Sequence, residues 1–383
     1  MPLLSHPLWL VGFRPFFALA CAAGALLPIA WVLILGGSLP APDGRFSATQ
    51  WHAHEMFFGF GWAVLGGFLL TSTKNWVGIR GYHGRPLLLL ALAWLIERLG
   101  MSAGSAWPTW LFLLSSNLFL GSIVVLLAWT LVRHHARDSY RDNAIFLVML
   151  PSFIFAKQLI LSPEHFAAGI TLTLALFRLA FLVMLERTLT QFMKAAFQAE
   201  ILRYKPLDMG IKLLGLLLVA EPLLPIAVGF TMKVALAGLL LIRLPFWRAW
   251  LSLKRIDIGI MFIGYLAIVG QLLLSAFPLA GAVGSLATHV FTVGAMGGVI
   301  PSMIVRISKG HTGRKVIFDR GDRIVLYIML AALLARTLLP QIAPEHYLRW
   351  LEMTALCWFV GFAIVGYRYI PMLMQARVDG REH

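Results

Sequence analysis

Apolar residues fall along this chain in runs of about 20, the length an α-helix needs to cross a bilayer. Short polar stretches holding most of the Lys and Arg separate the runs. The pattern predicts about twelve spans, near residues 16–36, 50–72, 86–103, 108–132, 142–161, 165–186, 207–225, 228–246, 258–279, 285–306, 323–340 and 347–370. No polar stretch is long enough for a separate soluble domain, and no internal repeat is evident. The expectation is one all-α, polytopic membrane domain over residues 1–383.

Composition agrees. Of the 383 residues 60% are hydrophobic and 13% charged, against about 25% charged in soluble domains. A formal charge of +15 raises nucleic acid as a partner, but the distribution excludes it, because the cations sit in short loops as the positive-inside rule requires. Lys74, Arg80 and Arg85, then Arg133, Arg137 and Arg141, then Lys194, Arg203 and Lys205 occupy alternate loops. Arg248, Lys254 and Arg255, and finally Lys309, Arg314, Lys315 and Arg320, continue the series, while the opposite loops offer little beyond Arg45 and Arg349. Both termini are therefore expected in the cytoplasm, and the first run reads as a retained helix rather than a cleaved signal.

Two features bear on chemistry. Cys21 and Cys357 both lie in apolar runs, with no disulfide framework or zinc-ribbon spacing. A C-x-x-C-H motif is missing too, so a haem would be held non-covalently. The second span opens with Trp51-His52-Ala53-His54-Glu55-Met56, and the tenth carries Thr288-His289-Val290. Ionisable groups at membrane depth usually mark function, and histidine is the commonest ligand of transition metals. Both spans run from outside to inside, so at ~1.5 Å per residue His52, His54 and His289 share a depth within roughly 10 Å of the outer boundary. Residues two apart on a helix point away from each other. His52 and His54 then serve different partners, or one is a ligand and the other an interfacial histidine. Glu55, one turn from His52, is placed to fix its tautomer, to relay a proton, or simply to pair with an arginine.

Glycines crowd the same spans: Gly59, Gly61, Gly66 and Gly67 in one, Gly294, Gly297 and Gly298 in the other. They mean close helix packing, room for a flat macrocycle, or both. At the inner ends lie Asn75 and Trp76, then Arg306, His311 and Gly313, with Arg14 at the matching boundary of the first span. Such a set suits an anion, a propionate or a lipid phosphate, and equally an ordinary basic loop. Glu97, Arg98, Lys157, Arg178, Glu186, Arg187 and Arg336 are further charges within spans, expected to pair internally or snorkel.

Four stretches carry a resemblance. Gly12-Phe13-Arg14-Pro15-Phe16-Phe17, the run from Trp51 to Gly59, the run from Gly67 to Trp76 and the run from His289 to Gly313 resemble, in that order, the motifs of the NnrS family of bacterial inner-membrane proteins. The resemblance covers the whole length. It implies haem and copper as cofactors, and a role in the response to nitric oxide and nitrosative stress, often beside denitrification. Carried over residue by residue, it covers Arg14, His52, His54, Glu55, Asn75, Trp76, His289, Arg306, His311 and Gly313.

The chain departs from the family at Phe262, in Phe262-Ile263-Gly264-Tyr265, where many relatives have histidine, and after Arg187, where a proline is missing. The lost imidazole weighs against copper more than against haem. The expected protein holds haem, with copper beside it, through His52, His54 and His289, with Glu55 in support, and acts on nitric oxide or metal-nitrosyl species. No electron-donor site is recognisable. The alternatives are a twelve-helix secondary transporter of a small anion, or a haem or copper handling protein serving a respiratory complex.

Overall fold

The computed structural model describes residues 5–42 and 45–381. Among them every regular element is helical, and eleven helices are long and apolar enough to cross a membrane. In chain order these are α1 (Phe13–Leu35), α2 (Ala48–Trp76), α3 (Arg85–Ala106), α4 (Thr109–Arg133), α5 (Arg141–Leu161) and α6 (Phe166–Phe197). After the shorter α7 (Lys205–Leu217) come α8 (Ile226–Phe246), α9 (Ile256–Ala276), α10 (Leu286–His311), α11 (Arg320–Ile342) and α12 (Pro344–Leu373). The protein is an all-α polytopic membrane protein.

The seventh expected span is the one that falls short. Its α-helical part ends at Leu217 and continues as a tighter 3-10 stretch, Leu218–Leu223, containing Pro222. Proline lacks the N–H an α-helix needs, and Glu221 turns aside to accept from Lys233 at 2.8 Å. At ~1.5 Å per α and ~2.0 Å per 3-10 residue the segment still reaches about 30 Å. The basic stretches on either side of the α7–α8 pair therefore remain on one face of the membrane.

Contacts divide the chain into two compact units. Unit one comprises Met1–Ile170, Ile304–Ile317 and Phe362–His383; unit two comprises Thr171–Met303 and Phe318–Gly361.

Unit one is organised by α2. A capping box starts it: the Gln50 N–H donates to Ser47 Oγ at 3.2 Å and the Ser47 N–H donates to Gln50 Oε1 at 2.8 Å. The Gln50 amide also donates to the Ile160 carbonyl of α5 at 3.0 Å. At its other end Thr71 accepts the Phe13 N–H at 2.9 Å, capping α1 from the side. A Cβ on Gly67 would stand 2.7 Å from Phe16 Cβ, and one on Gly12 2.5 Å from Leu70 Cβ. Only glycine lets α1 and α2 approach this closely.

Unit two repeats that economy. A Cβ on Gly294 of α10 would stand 2.7 Å from Ala267 Cβ of α9. In both units the glycine-rich helix thus presses against the helix preceding it, which is the packing reading of those glycines. Charges in unit two also pair. Glu186 takes Lys212 at 3.2 Å, together with Arg203, and lies 4.0 Å from Arg243. Arg243 reaches Asp208 at 3.4 Å and donates from Nε to the Tyr265 hydroxyl at 3.1 Å.

Candidate functional site: a histidine at the head of each π-helical stretch

The capping box puts the start of α2 at Ala48, so His52 and His54 both lie within one helical turn and point opposite ways. His52 is half-buried and stacks on Trp31, with ring centroids 4.3 Å apart and planes 13° apart. His54 is fully buried. Its Nδ1 lies 3.1 Å from Glu55 Oε1 and its Nε2 3.3 Å from Glu97 Oε1.

Around His54 the unit assembles charges from three helices. Arg98 of α3 lies 3.0 Å from Glu55 and 3.3 Å from Glu97. Lys157 of α5 lies 3.1 Å from Glu97 and also donates to the Ser116 carbonyl of α4. His54, Glu55, Glu97 and Lys157 are each at most 1% exposed. Two carboxylates therefore balance two fixed cations, with an imidazole between the acids. Buried charge at membrane depth survives only when paired in this way. The internal pairing expected for Glu97, Arg98 and Lys157 is what the structure shows. Of the readings open to Glu55, the structure shows the Glu–Arg pair, with Arg98, and places His54 rather than His52 at its other oxygen.

Immediately after His54 the helix widens. Glu55–Gly61 forms a π-helical stretch of seven residues before α-helix resumes at Trp62. Such insertions re-aim side chains and loosen the backbone ladder, and they concentrate at functional sites. The Gly59 carbonyl within this stretch accepts the Trp94 indole N–H of α3 at 2.9 Å. A Cβ on Gly59 would meet Arg98 Nη1 at 2.8 Å, so the glycine makes room for the guanidinium.

Unit two carries the counterpart. In α10 a π-helical stretch of seven residues, Val290–Met296, again begins just after a histidine, His289. His289 Nδ1 lies 2.9 Å from the Ser285 carbonyl and Nε2 lies 3.2 Å from Arg336 Nη2. A carbonyl only accepts and a guanidinium only donates. The imidazole is therefore the neutral Nδ1–H tautomer, with its Nε2 lone pair turned to Arg336. Arg336 itself is buried and donates to the Tyr347 hydroxyl at 3.3 Å.

This likeness between the units has a sequence signal. His54 and Gly59 stand at the spacing of His289 and Gly294, and Lys74 and Lys309 follow at the same offset. Residues that sequence reasoning missed are Trp31, Trp94 and Ser116, the last acting only through its backbone carbonyl.

The remaining motif residues separate into two groups. Arg14, His311 and Gly313 meet at the basic end of unit one, beside the C-terminal residues Leu373 to Asp379. Arg306 is buried on the same inner segment of α10. Asn75 is exposed, and Trp76 is buried in a stack with Phe146, centroids 5.6 Å apart. Neither stands in the Arg14 corner. Phe262, at the position of the missing imidazole, is buried in α9.

Fold and site together define a multi-pass α-helical membrane protein with a histidine at the head of a π-helical stretch in each unit. The family model described as NnrS protein matches residues 7–377. The chain belongs to the NnrS family. No curated protein matches it significantly.

Proposed function

We propose that this protein is a haem-binding protein of the bacterial inner membrane that protects against nitric oxide and nitrosative stress. Family membership over nearly the whole chain supports the nitric oxide context. The observation that carries the haem reading is His289. An axial histidine binds iron through its Nε2 lone pair while an acceptor on Nδ1–H fixes the ring. In His289 the Ser285 carbonyl is that acceptor at 2.9 Å, and Nε2 accepts from Arg336 at 3.2 Å, a bond that iron would replace. Haem bound there would supply an iron centre able to take nitric oxide. The chain's own part is to fix the imidazole, to offer the Arg336 cation beside it, and to keep the surrounding helix pliable through the π-helical turn.

His54 fits a ligand less well, because both its nitrogens face carboxylate oxygens within 3.3 Å. In this proposal it belongs to the ion-pair cluster and Glu55 is its partner. His52, stacked on Trp31, is a second surface for a metal or a ring. Copper is the other metal the family resemblance implies. Among the described residues no three His, Cys, Asp or Glu side chains form a donor set that could hold it.

Metal analysis of the purified protein tests the reading, with His289→Ala and His54→Gln prepared alongside. Near-stoichiometric iron in the wild type and in His54→Gln, lost in His289→Ala, is the expected result. Iron missing from the wild type after expression with ample haem would overturn it. Iron lost only in His54→Gln would move the ligand to unit one.

A further inference from the structure

The Arg14 corner of unit one has donors without acceptors. Arg14 lies in the first turn of α1 and is fully buried. Its Nη1 donates to the carbonyls of Leu373 at 2.8 Å and Gln375 at 2.6 Å, closing the C-terminal end of α12. The opposite edge of the guanidinium, formed by Nε and Nη2, is equally buried and meets no acceptor among the described residues. That edge is the one a carboxylate or phosphate engages with two parallel bonds.

The same protein shows the edge in use twice. Arg377 holds Asp379 through Nε at 2.8 Å and Nη2 at 2.5 Å. Arg255 holds Asp257 through Nε at 3.1 Å and Nη2 at 2.9 Å. Among the described residues Arg14 faces no such acid. Its charged neighbours are Arg377 and Arg314. His311, with its ring 5.4 Å from that of Phe13, faces Lys74, Arg377 and Arg14. Asp379 approaches this corner, where Gly313 at φ +82° leaves space for it, but both its oxygens are committed to Arg377.

A buried guanidinium with unsatisfied donors is costly, and other cations around it raise the cost. Water would satisfy the donors and leave the charge. An oxyanion seated on the Nε/Nη2 edge resolves both, and cations on several sides favour a group with several charged oxygens. We propose that the Arg14 corner, with His311, Arg314 and Lys74 around it, is a binding site for a phosphate-class oxyanion, free or as the headgroup of an anionic phospholipid. The site is independent of haem and of His289.

The test uses the full chain in a neutral detergent, followed by thermal unfolding. Sodium phosphate is compared with sodium chloride at matched ionic strength, and phosphatidylglycerol with phosphatidylcholine in mixed micelles. A saturable rise in Tm is expected with phosphate or phosphatidylglycerol over its control. A response to inorganic phosphate identifies a free anion; a response to phosphatidylglycerol alone identifies a lipid headgroup.

Arg14→Lys keeps the charge and loses the fork, and should raise the half-saturating concentration by about 10- to 100-fold. Because Arg14 also closes α12, Arg314→Gln serves as the second variant. Arg314 is half-buried and its Nη2 reaches Gln375 Oε1 at 3.2 Å. Its replacement should raise the half-saturating concentration at least about threefold with the fold intact. No rise over the controls in the wild type, or unchanged half-saturation in whichever variants fold, would overturn the proposal and leave the edge to water.

Discussion

Replacing Glu97 by glutamine should destabilise unit one more than any other single change in the His54 cluster. Glu97 faces Lys157 at 3.1 Å, Arg98 at 3.3 Å and His54 at 3.3 Å, with at most 1% of it exposed. Without its charge, Arg98 and Lys157 are left with Glu55 alone, and one buried cation is uncompensated. Breaking a buried pair from one side costs about 3–5 kcal/mol. At about 2.1 cal/mol/K per residue, a loss of that size lowers Tm by on the order of 5 °C.

Lys157→Met should cost less, because Arg98 remains within reach of both carboxylates, 3.0 Å from Glu55 and 3.3 Å from Glu97. The double variant Glu97→Gln/Lys157→Met removes one charge of each sign and leaves Arg98 paired with Glu55 at 3.0 Å. It should therefore be more stable than Glu97→Gln alone. Thermal unfolding of the four proteins in one detergent closes the cycle. Additive losses, or a Glu97→Gln shift within the error of the wild type, would refute the ion-pair account.

Other outcomes follow from the same structure. Gly67→Ala places a Cβ 2.7 Å from Phe16 Cβ, and overpacking of this kind costs about 1–3 kcal/mol; reduced Tm and reduced yield of folded protein would show it. Ser47→Ala removes one half of the capping box and should cost about 1 kcal/mol, read as a modest fall in Tm with spectra unchanged. Arg377 holds the Asp379 carboxyl down to about 2, from an ordinary value of 3.8. A carboxylate depressed in the folded state contributes above its unfolded pKa, and the contribution fades as pH falls from about 3.8 towards about 2. Amide exchange of residues 375–381 should thus be protected equally at pH 5 and pH 7, and loosening over that interval would contradict the clasp.

The helices were legible because hydropathy alone decides what crosses a membrane. The α-helical part of the seventh is shorter than the sequence pattern predicts, because Glu221 and Pro222 barely lower a window average, yet they set where α-helix gives way to the 3-10 turn. The π-helical stretches were not legible, since an i→i+5 turn leaves the apolar pattern intact; the shared His and Gly spacing was the available clue. Glu97, Arg98 and Lys157 could be recognised as charges needing partners, but which acid meets which cation depends on how α2, α3 and α5 pack. Spacing offers Glu55 both His52 and an arginine, and only the packing of α3 against α2 shows that Arg98 and the chain neighbour His54 take it. The return of residues 373–379 to Arg14 joins chain ends far apart in sequence, and no local pattern announces it.

The most direct test of the central claim is the optical spectrum of the purified, reduced protein before and after nitric oxide, for the wild type and His289→Ala. A Soret band that shifts on adding nitric oxide in the wild type and is lost in His289→Ala is the expected result. A wild-type protein expressed with ample haem yet without a Soret band, or a His289→Ala variant with the wild-type spectrum and response, would contradict it.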